Sequence, residues 1–431
     1  MNRKLPVIIL LLLIPFGLTA CTLSDIPLVG GLFGGTSKNT PVTLNVWGLW
    51  ESPEVMTTLS DKYKTEHPNV TLNYDDRSVL TPEDYKERVF SRLGSESTLD
   101  ILLVHNTWVK SLSPLLSPLP SNVISATEYK DKFYPVAAES ATVTDSIYGV
   151  PAFYDGLVLV YNKDHFKEID QLEPPTSWEE FRKLAIELTV KGSDNKIVRA
   201  GAAIGTANNI DFFSDILGLL LAQTGANIPD DMDSRAAQDA LLFYTDFVKE
   251  YGVWDNSFPE ASTSFAEEKV SMILVPSWNL LDILNARPDL NIGVAPVPQA
   301  LENNPVSWGS FWMYVVPANS TNKAAAWDYI KYITQQDQQL MAYNSATQFR
   351  QFGAPFSLSS LASQVLSNPY IGPVLQSAPY AKSGVIAGRS GNVVQVSALK
   401  DAVNAVLDAK TNSVSAATIL KTAKGTISQS R

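Results

Sequence analysis

Cysteine is almost missing from this chain: Cys21 is the only one. No disulfide can form within one molecule, so the folded part must stand on packing alone. Histidine is scarce too. His67, His105 and His165 are the only three, and none lies at a ligand spacing from another histidine or from the cysteine, so neither a metal nor a cofactor is expected. Helix-end and strand-end patterns around His67 and His165 predict surface positions. Positive charge is in deficit, with 33 Lys and Arg against 44 Asp and Glu and a net charge of −11. A nucleic-acid partner needs a basic face, so none is expected. The acidity itself asks for nothing beyond solubility. The chain has no phosphate-binding Walker loop, no Gly-x-Ser-x-Gly elbow and no dinucleotide fingerprint, and the glycines at Gly201 and Gly205 lack the required spacing. No repeat period and no long low-complexity block interrupts it.

What is present is globular. Hydrophobic residues make up 45% and charged residues 18%, too apolar and too weakly charged for disorder. A chain of 431 residues predicts two or three compact units at roughly 100–200 residues each. The N-terminus carries the most specific local signal. Arg3 and Lys4 precede an almost unbroken apolar run, Leu5–Leu18, and Leu18-Thr-Ala20 leads into Cys21. The run is short for a membrane span and fits a secretory signal, residues 1–20. A lone thiol at that point resembles a bacterial lipobox, in which the cysteine sulfur takes a diacylglycerol and becomes the mature N-terminus. Two or more acyl chains give stable anchoring. An uncleaved signal anchor is the alternative. Residues 21–41, with Gly30, Gly31, Gly34 and Gly35, read as a flexible tether.

The folded body opens with alternation. Val42, Leu44 and Val46 predict a strand, Ser52-Pro53 a helix start, and Val55, Leu59 and Tyr63 a helix face that ends before Pro68. Val70, Leu72 and Tyr74 predict a second strand, Pro82–Leu93 a second helix, and Ile101–Val104 a third strand. The order β-α-β-α-β implies a parallel sheet with helices on its faces. Ligands of such sheets sit beyond the carboxyl ends of the strands, which points to residues 47–51 and 105–108. Tyr148–Lys163 reads as a further strand with a proline at its entry. Ser177 and Glu180 form a capping box, and Trp178, Phe181, Leu184 and Leu188 give the helix a core face. Helices are expected near 212–223, 236–251, 324–334, 397–409 and 415–427, and strands at 271–275 and 311–316.

Taken in order, these segments resemble the family-1 extracellular solute-binding proteins, the maltose-binding and multiple-sugar-binding class. The resemblance rests on Leu44–Gly48, Glu66-His-Pro68, Leu99–Leu103, Tyr148-Gly-Val-Pro151, Leu159–Lys163, Pro175-Thr-Ser-Trp178, the stretch from Phe265 to Trp278, Ile292–Pro298 and Val316-Pro-Ala-Asn319. It covers nearly all of Val42 to Ile427. It implies an α/β chain with the two-lobed periplasmic-binding-protein fold of class II type and a ligand cleft between the lobes. Mapped here, lobe 1 would be 42–150 plus 298–350 and lobe 2 would be 152–292 plus 354–387. Residues 388–431 would form C-terminal helices packing across both. Pro and Gly near 150–153, 294–297 and 353–355 suit the crossings. The implied protein is a monomeric lipoprotein receptor, not an enzyme. It would lie outside the cytoplasm, lipid-anchored to the cell membrane or in the periplasm. It would deliver a mono- or oligosaccharide to the permease subunits of an ABC importer.

A sugar offers flat C–H faces and many hydroxyls, so its site needs aromatic platforms beside polar groups. Candidates at strand ends are Trp50 and Glu51, Asn106 and Trp108, Tyr154 and Asp155, and Trp278 and Asn279. The family often has a Gly-rich ligand loop where Trp308, Gly309 and Ser310 stand, with Trp308 replacing a glycine. Arg389 lies in a Gly-Arg-Ser-Gly loop within reach of a cleft. Each tryptophan has core packing as its alternative, and for Trp178 and Trp327 that is the expectation. Three rival functions stay open: a lipid-anchored carbohydrate-active enzyme with a facing carboxylate pair, the same fold holding a non-sugar solute, and a receptor for a sensor kinase.

Overall fold

In the computed structural model, residues 40–95, 98–348, 351–409 and 415–429 are described. Cys21, the rest of the N-terminal signal and the tether up to residue 39 lie outside them. Among the described residues no helix is long and apolar enough to cross a membrane.

The strands that matter here are β1 (Val42–Gly48), β2 (Val70–Asp76), β3 (Ile101–His105), β4 (Val150–Pro151), β5 (Leu157–Asn162), β6 (Val190–Lys191), β7 (Ile197–Ala202), β8 (Val270–Pro276), β9 (Ile292–Ala295), β10 (Ser307–Trp308), β11 (Trp312–Val315) and β12 (Ala381–Lys382). The helices are α1 (Pro53–Glu66), α2 (Pro82–Leu93), α3 (Trp178–Glu187), α4 (Phe213–Gln223), α5 (Arg235–Lys249), α6 (Asn279–Ala286), α7 (Lys323–Ile333), α8 (Val393–Asp408) and α9 (Ala416–Gln429).

Ten strands build two five-stranded sheets, ordered β2-β1-β3-β11-β4 and β9-β5-β8-β7-β6. In the first, β1 runs parallel to β2 from Val42 opposite Val70 to Gly48 opposite Asp76, and parallel to β3. Crossovers through α1 and α2 give this pairing. The chain leaves the first sheet after β4, enters the second at β5, and returns after β9 to add β11 antiparallel to β3. The expected single strand over 148–163 is thus two, split by residues 152–156 at the passage between sheets.

Local signals explain most of the elements. Ser52 accepts from the Val55 amide with Pro53 in the first turn of α1, and Val55, Met56, Leu59 and Tyr63 are buried along one face. Thr81 caps α2, which buries Tyr85, Val89 and Leu93. Each large apolar side chain taken fully out of water contributes roughly 1.5–3 kcal/mol, so three per short helix suffice to hold it on the sheet. The capping box of Ser177 and Glu180 is formed at the start of α3. Helix α4 is buried nearly all round, as a helix without a polar face must be. Gly201 is obligatory for a steric reason: a Cβ there would lie 1.8 Å from the Ala185 carbonyl oxygen, where β7 runs under the end of α3.

His165, expected at the surface, is buried, and its Nδ1 lies 3.0 Å from Ser271 Oγ. It sits just past β5 on the side packed against β8. Helices α8 and α9 pack against each other and against α5. The loop before α8 reaches the first sheet's edge through Ser390 and Asn392.

Candidate functional site

The antiparallel addition of β11 sets Trp312 opposite His105. The carboxyl ends of β1 and β3 and the entry of β11 therefore share one edge, carrying Trp50, Glu51, residues 105–108 and Ser310. In the second sheet Pro276 lies opposite Leu157, so residues 154–156 and 277–279 share an edge too. The two edges meet. The Ser310 amide donates to the Asp155 carbonyl at 3.0 Å, and Gly156 bridges to Gly309. A Cβ on Gly156 would stand 2.6 Å from the Trp308 carbonyl, so only glycine lets the strands pass this close.

Two tryptophans offer surface at these edges. Trp50 is 48% exposed and packs one edge against Trp312 at 5.0 Å. Its backbone is left-handed, φ 58°, with its amide bonded to Ser78 Oγ. Trp278 is 36% exposed and meets Phe212 edge-to-face at 5.6 Å. Arg389, also left-handed at φ 48°, places its guanidinium 5.8 Å from the Phe212 ring and 6.0 Å from the Trp278 ring, and donates to Asp211 Oδ1 at 3.3 Å. Side chains rarely adopt this backbone region, and residues held there cluster at ligand sites and turns.

Most of the other candidates are scaffold. Trp108 and Trp308 are core side chains, each 1% exposed. The Trp108 indole donates to the Ser390 carbonyl at 2.7 Å and the Trp308 indole to Asp215 Oδ1 at 2.7 Å. Neither presents a ring face to a ligand in this conformation. Tyr154 is buried between Tyr134 and Phe311. Asn106 is consumed as a clasp: its amide donates to Ser140 and Ser383, and its oxygen accepts from the Phe311 amide. Asn279 accepts from Ser262 at 2.8 Å. Gly309 donates to the Lys382 carbonyl at 2.7 Å where β10 pairs with β12. Ser310 is partly buried, with Oγ 3.0 Å from His105 Nε2. Glu51 is part-exposed beside Trp50.

Asp155 is the electrostatic centre of the junction. It is buried, and its Oδ1 accepts from the Gly156 amide at 2.6 Å and the Ser277 amide at 3.0 Å. Burial pushes its carboxyl up to about 6, against the pull of those donors. The carboxyl thereby fixes the turn that carries Trp278. Burial raises Asp215 to about 7, although the Trp308 indole and the Gly388 amide both donate to it. Burial, aided by Lys86, drives the His105 imidazole down to about 3, so it is a neutral hydrogen-bonding link between Thr107 and Ser310.

Sequence reasoning missed Asp211 and Phe212, which complete the surroundings of Trp278. They follow no alternating run, and only their place between β7 and α4 marks them. It also missed how loop 388–392 joins the two halves. Ser390 and Asn392 bond Trp108 and Thr107 on the first side, and Gly388 and Arg389 bond Asp215 and Asp211 on the second. Among the described residues no group of three or more His, Cys, Asp or Glu could hold a metal ion.

Two α/β sheets exchanging strands across a shared junction, with aromatic side chains at the meeting edges, define the two-lobed periplasmic-binding-protein fold. Residues 58–369 match the family described as bacterial extracellular solute-binding protein, and the chain belongs to that family. A maltotriose-binding protein of Pyrococcus abyssi is 20% identical over 330 residues, 74% of this chain and 66% of that protein. The sugar-binding protein MalE of Xanthomonas citri superposes with a TM-score of 0.72 at 17% identity, covering 90% of this chain and 96% of that one. UgpB of Mycobacterium tuberculosis, in complex with glycerophosphocholine, gives 0.70 at 16% identity, covering 92% and 98%. At these identities the likeness establishes the fold.

Proposed function

We propose that this protein is an extracytoplasmic receptor that captures a carbohydrate between its lobes and hands it to the permease of an ABC importer. The observation that carries the reading is the pair of part-exposed indoles, Trp50 and Trp278, on the two sheet edges that meet, with Glu51 beside one and Arg389 and Asp211 beside the other. Aromatic faces next to charged hydrogen-bonding groups match the two surfaces of a sugar ring. The first sheet belongs to lobe 1 (42–150 plus 298–350) and the second to lobe 2 (152–292 plus 354–387). A ligand touching Trp50 and Trp278 at once favours the closed form over the open one, and this differential contact drives closure. The receptor binds its ligand without converting it, acts as a monomer, and is tethered through a lipid on Cys21. The sugar-binding relative and structural neighbour support a carbohydrate.

The test is a thermal-shift and tryptophan-fluorescence titration of the protein against mono- and oligosaccharides. A sugar that binds only the native state adds about 2.7 kcal/mol at a hundred times its Kd. Trp278→Ala should weaken that binding about tenfold, the equivalent of about 1.4 kcal/mol, with the Tm of the empty protein nearly unchanged. An equal loss of stability in the empty protein would make Trp278 a core residue. Silence across the sugars with saturation by a glycerophosphodiester would move the ligand class, and product formation would replace the receptor with an enzyme.

A further inference from the structure

A cavity of about 560 Å³ in the described body is lined by none of the candidate sugar-binding residues. It lies on the flank of the first sheet, where α2 leaves the edge strand β2 uncovered. Its floor is the polar face of β1 and β2: Asn45, Asn73 and Asp75, with the Asn73 amide donating to Asn45 and the Asn45 amide to the Thr98 carbonyl. Its walls bring three arginines, Arg77 just beyond β2 and Arg88 and Arg92 one turn apart on α2. Among the described residues the sole carboxylate lining it is Asp75, which pairs with Arg77.

Arg77 is held with unusual care. Its guanidinium lies 4.4 Å from the Trp47 ring centroid, and its Nε is buried without a hydrogen-bond partner. Arg88 is exposed at the rim. Three guanidinium groups thus line one cavity of a chain whose net charge is −11. Planar guanidinium forks are matched to tetrahedral oxyanions, which they bind with two parallel hydrogen bonds. A cavity of this size holds a small solute, not a macromolecule.

We infer that this flank cavity is a second ligand site, which takes a small solute bearing a phosphate or sulfate group through Arg77 and Arg88. It is independent of the sugar reading, since none of the residues proposed for that site enters it.

The experiment is isothermal titration of the full-length protein in detergent with inorganic phosphate, then with inorganic sulfate, at constant ionic strength held by chloride. One saturable site is expected for at least one of the two anions, and the anion that binds identifies the ester class. Arg88→Glu should weaken binding at least tenfold while leaving the Tm of the empty protein within a degree or two, because the side chain is exposed. Trp278→Ala should leave anion binding unchanged, which separates this site from the sugar site. Absence of saturation by either anion up to 20-fold above about 1 mM, or equal binding by the Arg88→Glu protein, would overturn the assignment. Loss of anion binding in Trp278→Ala would do the same.

Discussion

Asp155→Asn should stabilise this protein at neutral pH and leave it nearly unchanged in acid. The carboxyl is buried at the junction of the sheets, with the Gly156 and Ser277 amides on a single oxygen. Asparagine can set its carbonyl oxygen in that place and keep both bonds while removing the charge. Burial raises the carboxyl from 3.8 to about 6. At 1.36 kcal/mol per pH unit, ionising it in the native state costs about 3 kcal/mol. Between pH 4 and pH 6 the native state still holds a proton that the unfolded chain has released. The native state binds more protons there, so this group's contribution to stability falls as pH rises through the window and is level above it. Asp215 titrates in an overlapping range but is common to both proteins and cancels in their difference. Urea denaturation of wild type and Asp155→Asn at pH 4 and pH 7.5 reads the effect. The expected gain of the variant is near zero at pH 4 and about 3 kcal/mol at pH 7.5. An equal difference at the two pH values, or a less stable variant at pH 7.5, would refute the reasoning.

Trp108→Ala should cost about 3–5 kcal/mol in urea denaturation, because it empties a core position and strands the Ser390 carbonyl, whereas a ligand-facing tryptophan would cost little. Gly201→Ala should destabilise by at least about 1–3 kcal/mol, since its methyl meets the Ala185 carbonyl and either β7 or α3 must shift; Tm by circular dichroism measures it. At Trp50 the left-handed backbone predicts that Trp50→Gly is more stable than Trp50→Ala by about 1 kcal/mol, while both lose ligand affinity equally.

Elements marked by local chemistry were legible in the sequence. The caps at Ser52 and Ser177, the period of Val55, Leu59 and Tyr63, and the alternation of β1 and β2 each depend on residues a few positions apart, and the structure forms them as read. Membership of the extracellular solute-binding family was legible from the order of segments. The roles of individual tryptophans were not. Trp108 and Trp278 both follow a strand end, yet Trp108 is covered by a loop 282 residues further along, while Trp278 is only partly screened. Trp308 is likewise bound by Asp215, 93 residues before it. A strand end fixes where a side chain starts, but its exposure depends on distant chain that packs over it. Asp211 and Phe212 were overlooked for the converse reason, because no periodic pattern leads to them and only the fold brings them beside Trp278.

Loop 388–392 has a mechanical consequence. It holds the first sheet's edge through the Trp108 indole and Thr107, and the second half through Asp211 and Asp215. It spans the gap like a short stay across a door. Any wide parting of the halves must first undo one of these two sets of bonds, and because α8 and α9 pack against α5, the C-terminal helices travel with the second half.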